Sequence, residues 1–232
     1  MRTFSRHHLV LLTLAVAPVP ASFAAEPYHP RIDPAQFQAT VDHPYFPLVP
    51  GTITKYEEKD GILTSENMVE VTHDTKTVAG VQCIVVHDIV TQEGALKEDT
   101  YDWYAQAKDG TVWYFGEDTK EYKPSGAVST AGSWEAGVNG AEPGIVMPAA
   151  VRPGEPYRQE YLADKAEDMG QIVAVGESLT VPAGTYTDVV RTKEWSMLES
   201  GSESKWYAKG VGVIREVATA GEVATLVSIT KK

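Results

Sequence analysis

Residues 98–118 read EDTYDWYAQAKDGTVWYFGED, and the fold class follows from how this stretch folds back on itself. Lys108-Asp109-Gly110 is a turn signal: aspartate bonds its own backbone, and glycine takes the positive φ that a bulged three-residue loop requires. β-formers flank it, with Tyr101, Trp103 and Tyr104 before and Val112, Trp113, Tyr114 and Phe115 after. A three-residue loop pairs Ala107 with Thr111 and predicts Trp103 opposite Phe115 and Tyr104 opposite Tyr114. A two-residue turn at Asp109-Gly110 would instead set Asp102 against Glu117, a like-charge pair that costs stability. Successive side chains alternate between faces. One face of the hairpin therefore carries Trp103, Ala105, Trp113 and Phe115, a core face. The other carries Asp102, Tyr104, Gln106, Val112 and Tyr114, amphipathic and aromatic.

A shortened copy, KWYAKGVGVIREV, returns at residues 205–217. Pro50-Gly51 followed by Tyr56 matches Pro153-Gly154 followed by Tyr161. Ala79-Gly80 with Val85-Val86 matches Ala183-Gly184 with Val189-Val190, and Trp103-Tyr104-Ala105 matches Trp206-Tyr207-Ala208. These offsets are 103, 104 and 103 residues, which reads as a duplicated meander of about five strands. In the first copy the strands are predicted at 52–59, 63–73, 77–91, 96–106 and 111–116, with turns at Asp60-Gly61, Asp74-Thr75 and Glu93-Gly94. Each half alone would leave an apolar sheet face in water, so the halves must cover each other. The prediction is an all-β antiparallel domain, two meander repeats forming a sandwich or a partly open barrel, with a short N-terminal helix.

The organisation read from this is a signal peptide at 1–24, a Pro-rich arm at 25–49, a first repeat at 50–120, a Gly-rich inserted loop at 121–150 and a second repeat at 151–232. Arg2 and Arg6, the apolar run 9–17 and Ser22-Phe23-Ala24 have the order of an export signal, with cleavage expected after Ala24. The expected product is soluble, periplasmic or secreted. In the arm, Asp33-Pro34 predicts an N-cap and first turn for a helix at 34–39. HPYFP at 43–47 is too proline-rich for a central strand and should pack across an end of the sheet. The insert holds Gly132, Gly137, Gly140 and Gly144 beside Trp134, Ile145 and Met147, too apolar for a free linker. It is expected either to strap one end of the barrel or to form the rim of a pocket.

The formal charge is −12, from 32 acidic and 20 basic residues, and loss of residues 1–24 would remove two arginines and no acid. That balance disfavours nucleic acid and anionic lipid surfaces as partners and fits no membrane-inserted segment in the mature chain. Cys83 is the sole cysteine, so no intrachain disulfide can form; within the apolar strand 81–86 it reads as a buried small hydrophobe. No nucleophile elbow, phosphate loop, zinc helix or paired-cysteine spacing occurs, so the sequence leans away from an enzyme.

What remains is acidic residues beside aromatics and glycines: Glu98, Asp99, Asp102, Glu117, Asp118, Glu135, Glu160, Glu167 and Asp168. The favoured reading is a binding module for a small or apolar ligand, with Tyr104, Tyr114, Trp134, Asp102 and Glu135 as contacts. If the acids met at one barrel mouth, Glu117, Asp118, Glu135, Glu167 and Asp168 would form a candidate oxygen site for Ca²⁺. Two alternatives stand beside this: a carboxylate-based hydrolase acting on glycans, and an envelope structural protein with a protein partner.

The segments YFGEDT (114–119), GSWEAG (132–137), PGIVMP (143–148) and Ala166-Glu167-Asp168 resemble those of a group of exported bacterial proteins of unknown function, over nearly the whole mature chain. WYAKGVGV at 206–213 is similar to the closing hairpin of several exported β-rich proteins, some of them open barrels that hold apolar ligands. The resemblance implies a fold and an address, and no activity.

Overall fold

A computed structural model describes residues 28–232; the signal peptide expected at 1–24 lies outside the described residues. A 3₁₀ turn at Pro34–Gln36 leads into three short strands, β1 (Phe37–Gln38), β2 (Val41–His43) and β3 (Phe46–Leu48). Five long strands follow: β4 (Thr52–Asp60), β5 (Leu63–Val78), β6 (Val81–Gln92), β7 (Ala95–Ala107) and β8 (Val112–Tyr122). The connecting stretch supplies β9 (Val128–Ser129), β10 (Trp134–Glu135), β11 (Glu142–Met147), β12 (Tyr157–Arg158) and β13 (Glu160–Tyr161). Five more strands complete the chain: β14 (Asp168–Val181), β15 (Gly184–Ser196), β16 (Glu203–Ala208), β17 (Gly212–Ala218) and β18 (Val223–Lys231).

The two meanders, β4 to β8 and β14 to β18, join edge to edge. β18 returns to β4 with Leu226 opposite Tyr56. At the other seam β8 pairs with β11 (Tyr114 opposite Gly144), and β11 pairs with β13 (Pro143 opposite Glu160). Just upstream, β12 pairs with β14 (Tyr157 opposite Gly170), and the Gln159 N–H between them donates to Asp168 O at 2.8 Å. The sheet is thus an antiparallel barrel closed through a short bridging segment, which removes the two long edges an open meander would expose. Gly144 is required there, because a Cβ would lie 2.1 Å from the Gln159 carbonyl carbon. Trp103 lies on β7, the fourth strand of β4–β8, and Trp206 on β16, the third of β14–β18; each stands beside a register shift and is followed by a tyrosine that faces the lumen.

The deciding hairpin turns as expected, with Ala107 N–H donating to Thr111 O at 2.8 Å and Tyr104 opposite Tyr114. One feature differs. A bulge at Gly116 (φ +129°) shifts the register, so Trp103 does not face Phe115 and Asp102 stands opposite Glu117 after all. The bulge is fixed from outside the hairpin: β10 lies so close that a Cβ on residue 116 would meet Trp134 O at 2.3 Å. A second difference is the first repeat's turn. It falls at Ala79-Gly80 (φ +48° and +81°), and β5 runs through Asp74-Thr75, where only a register shift occurs. Two successive positive φ values are the geometry of a tight hairpin turn.

Trp103, Ala105 and Phe115 indeed form a core face, but on the outside of the barrel wall. They pack with Cys83, Val85, Trp134, Ala136, Ala141 and Ala166, and with Phe37 from the arm. The insert therefore neither straps an end nor rims the mouth. Residues 128–147 run antiparallel to β8 as part of the wall, and 136–141 fold against its outer face, anchored by Ala136 N–H to Phe115 O at 2.9 Å. The barrel end is closed instead by the arm. Val41, Tyr45, Phe46 and Leu48 of the β2–β3 hairpin pack with Val71, Ile84, Val112, Met147, Ile172, Val190 and Tyr207. Gln106 Oε1 fastens it by accepting from the N–H groups of Asp42 (2.7 Å) and His43 (3.1 Å), and Gly210 N–H donates to Pro44 O at 2.7 Å. Of the helix expected at 34–39, the Asp33 cap is present, accepting from Ala35 N–H at 3.0 Å. Only one 3₁₀ turn forms, because Phe37 is drawn into pairing with Ala107. Among the described residues no helix is long and apolar enough to cross a membrane.

Candidate functional site

An eight-stranded barrel has an interior that side chains can fill; a wider one leaves space. Here the lumen above the β2–β3 plug encloses about 840 Å³. Strand alternation decides which residues line it. On β6, Cys83 and Val85 face the outer core while Val86 and Asp88 face the lumen; on β7, Trp103 faces out while Asp102 and Tyr104 face in. The floor is apolar and aromatic, formed by Phe46, Leu48, Val71, Val86, Tyr104 and Tyr207. Residues 199–203 and 218–220, from the β15–β16 and β17–β18 connections, border the opposite end.

Between floor and mouth the wall is acidic. Asp102 is 9% exposed and accepts from Tyr114 OH at 2.6 Å; the same hydroxyl reaches Glu117 Oε2 at 3.2 Å. One phenol thus bridges the two carboxyls that the bulge sets face to face. Burial, with the charges of Glu117 and Glu98, pushes Asp102 up to about 7 despite that hydrogen bond. Burial and Glu160 push Glu117 up to about 8, and burial and Asp168 do the same to Glu160. Asp88 is raised by burial and by Asp102 and Glu98, while Asn67 Nδ2 donates to it at 2.8 Å. Asp168 and Glu58 are raised as well, burial being the main cause of each.

Across the lumen the balance reverses around Lys205. Its Nζ lies 3.0 Å from Glu203, 3.3 Å from Glu194 and 3.8 Å from Glu216. Burial alone would raise Glu194, which is 5% exposed. The ammonium and the hydrogen bonds from Thr192 Oγ1 (2.7 Å) and Tyr207 OH (3.0 Å) together outweigh it and hold the carboxyl below its usual value. Glu216, further from the ammonium, is pushed up to about 7 by burial. Lys205 stays charged because three carboxylates overcome its own desolvation.

Of the residues singled out from sequence, Tyr104, Tyr114 and Asp102 line the lumen, and Trp134 is buried with its ring edge-on to Tyr114 at 5.3 Å. Glu135 turns to the outer side and pairs with Lys76 at 2.7 Å. The five residues considered for Ca²⁺ are dispersed. Glu117 and Asp168 face the lumen, Asp118 is exposed, Glu135 is held by Lys76, and Glu167 lies 3.7 Å from Arg158. Among the described residues no three His, Cys, Asp or Glu side chains come together as metal ligands. Cys83 is fully buried and its thiol is pushed up to about 12, an inert core residue. Sequence reasoning missed Glu58, Asn67, Asp88, Glu194, Lys205, Tyr207 and Glu216. The alternation Glu203, Lys205, Tyr207 on one face of β16 was the available signal.

Fold and lumen together define a cup-shaped antiparallel β-barrel with an acidic, tyrosine-lined interior. No protein-family model matches the chain, and no curated protein matches it. It is similar to a crystal structure described as that of a putative lipoprotein from Parabacteroides distasonis, with 14% identity, 83% of this chain and 100% of that chain covered, and a TM-score of 0.44. A likeness at that level bears on neither ligand nor activity.

Proposed function

We propose that this protein is a binding module that holds a small molecule inside its barrel, exported as the N-terminal stretch of the sequence implies. The observation that carries this reading is the lumen itself. The plug end is filled by the apolar side chains of the β2–β3 hairpin and the strands around it, whereas the space above it stays open among Tyr104, Tyr114, Val86 and a ring of polar groups. A concave, part-aromatic space with a few converging polar side chains is the usual make-up of a ligand site. A purely structural barrel of this girth would gain stability by filling it.

The glycan hydrolase reading has one point in its favour, the pair Asp102 and Glu117 on adjacent strands. A retaining or inverting pair works by having one carboxyl ionised and the other protonated, so their environments should push them apart. Here both are pushed the same way, to about 7 and about 8. Binding is therefore the better supported function.

The test is native mass spectrometry of the protein isolated from cells that make it naturally, alongside a Val69→Trp variant whose indole would occupy the lumen. A non-covalent mass that leaves on denaturation, and that the variant carries at much lower occupancy, supports the reading. Equal occupancy in both proteins, or a bare mass in the unaltered one, would refute it.

A further inference from the structure

Among the described residues, eleven carboxylate side chains border the lumen, and a single basic one, Lys205. Lys205 shows what an ammonium finds there: three carboxylates within 3.0 to 3.8 Å. Only Glu194, Glu203 and Glu216 lie within salt-bridge reach of that charge. Six other lumen acids, Glu58, Asp88, Asp102, Glu117, Glu160 and Asp168, have no basic side chain in salt-bridge reach among the described residues.

An independent observation comes from Asn67. It is 9% exposed and lines the lumen. Its amide nitrogen is committed to Asp88 at 2.8 Å, and its Oδ1 has no donor among the described residues. A buried acceptor without a partner is costly and uncommon in folded proteins. This one stands beside Asp88, with Asp102 on the next strand of the same face. All three accept, and none has a cation.

The missing partner is therefore a donor carrying positive charge. An ammonium has three donors and no acceptor. A carboxylate ligand would add to the repulsion, and a neutral polyol would leave the charge uncompensated. A bare metal ion is disfavoured because no three potential ligands converge among the described residues. The unpaired acids instead lie on separate strands around the wall, which suits a longer molecule with its charges apart. Below them Leu48, Val71, Val86 and the rings of Tyr104 and Tyr207 offer a hydrocarbon floor, and tyrosine faces attract cations.

We infer that the ligand is an organic amine bound as its cation, with an aliphatic body on the apolar floor and an ammonium seated between Asn67, Asp88 and Asp102. This rests on the lumen being a binding site. Isothermal titration calorimetry of the signal-cleaved protein at pH 8, with hexylamine, 1,6-diaminohexane, hexanol, hexanoate and calcium chloride as probes, separates the two claims. Both amines bind, the diamine more tightly, and hexanoate does not. Asp88→Asn weakens hexylamine at least tenfold and changes hexanol binding less than twofold, while Lys76→Ala on the outer wall changes neither. Glu160→Gln, which weakens the diamine more than the monoamine, serves if the Asp88 variant unfolds. Hexanol or hexanoate binding as tightly as hexylamine, or calcium binding more tightly than both amines, overturns the amine while leaving the lumen a site. An Asp88→Asn protein that is folded and unchanged for hexylamine overturns it too. If no organic probe binds, both readings fall together.

Discussion

Replacing Asp102 by asparagine should stabilise the protein markedly at pH 8 and much less at pH 5. Asp102 is 9% exposed, lacks a counter-ion, faces Glu117 across the bulge, and is pushed up to about 7 from the 3.8 of a free aspartate. Its folded value lies above its unfolded one. The favourable state is therefore fully present below about pH 4 and is lost as pH rises through about 7. A displacement of about three units costs about 4 kcal/mol once the group is ionised in the fold. Asparagine has the same shape and still accepts from Tyr114 OH, but without charge assistance, a loss of about 1 kcal/mol. The net gain at pH 8 is then about 3 kcal/mol. For a chain of this size that is a rise in Tm of about 6–12 °C. At pH 5 aspartate is protonated in the fold but ionised when unfolded, so proton uptake still costs about 1.6 kcal/mol and the gain from the substitution should shrink to about 1–2 kcal/mol. Urea and thermal unfolding of both proteins at the two pH values measure the difference. A change of the same size at both, or a loss of stability at pH 8, would show that the lumen does not hold Asp102 as described.

Tyr114→Phe removes the one donor shared by Asp102 and Glu117. It should cost about 2 kcal/mol at pH 8 and less at pH 5, read by urea denaturation. Lys205→Met strips three carboxylates of their only ammonium and should destabilise by about 3–5 kcal/mol at pH 8. Stability should recover on acidification, because the freed glutamates then protonate; a deficit that does not shrink would contradict the arrangement. Gly116→Ala forces a Cβ to within 2.3 Å of Trp134 O at a φ of +129°. A loss above about 3 kcal/mol is expected, with amide exchange rising in β8 and β10. Phe115→Ala, at a fully buried outer-face position, should cost about 3–5 kcal/mol. A much smaller loss would mean the outer face is not a core.

The hairpin at 98–118 carried much of the architecture openly, since turn chemistry and two-residue alternation are local. The loop length, the Tyr104–Tyr114 pairing and the division into an apolar and an amphipathic face all follow from it. The arm was legible for a similar reason: prolines at 44 and 47 exclude a central strand, and an aromatic segment so excluded must cover something. The Gly116 bulge was not legible, because its cause is the approach of Trp134, eighteen residues on. It produced the Asp102–Glu117 apposition that local reasoning rejects on charge grounds, and Tyr114 with two raised carboxyls makes it tolerable. The insert misled because apolar, glycine-rich sequence looks the same whether it caps an end or pads a wall. Lys205, Asn67 and Asp88 went unnoticed because each is ordinary in its own strand; only closure of the barrel sets them around one space.

The most direct measurement is a crystal structure of the protein grown with 1,6-diaminohexane. Density for the diamine inside the barrel, with one nitrogen within hydrogen-bond reach of both Asp88 and Asn67 Oδ1, is the predicted result. A diamine held only on the outer surface, or a lumen closed by collapsed side chains, would contradict it.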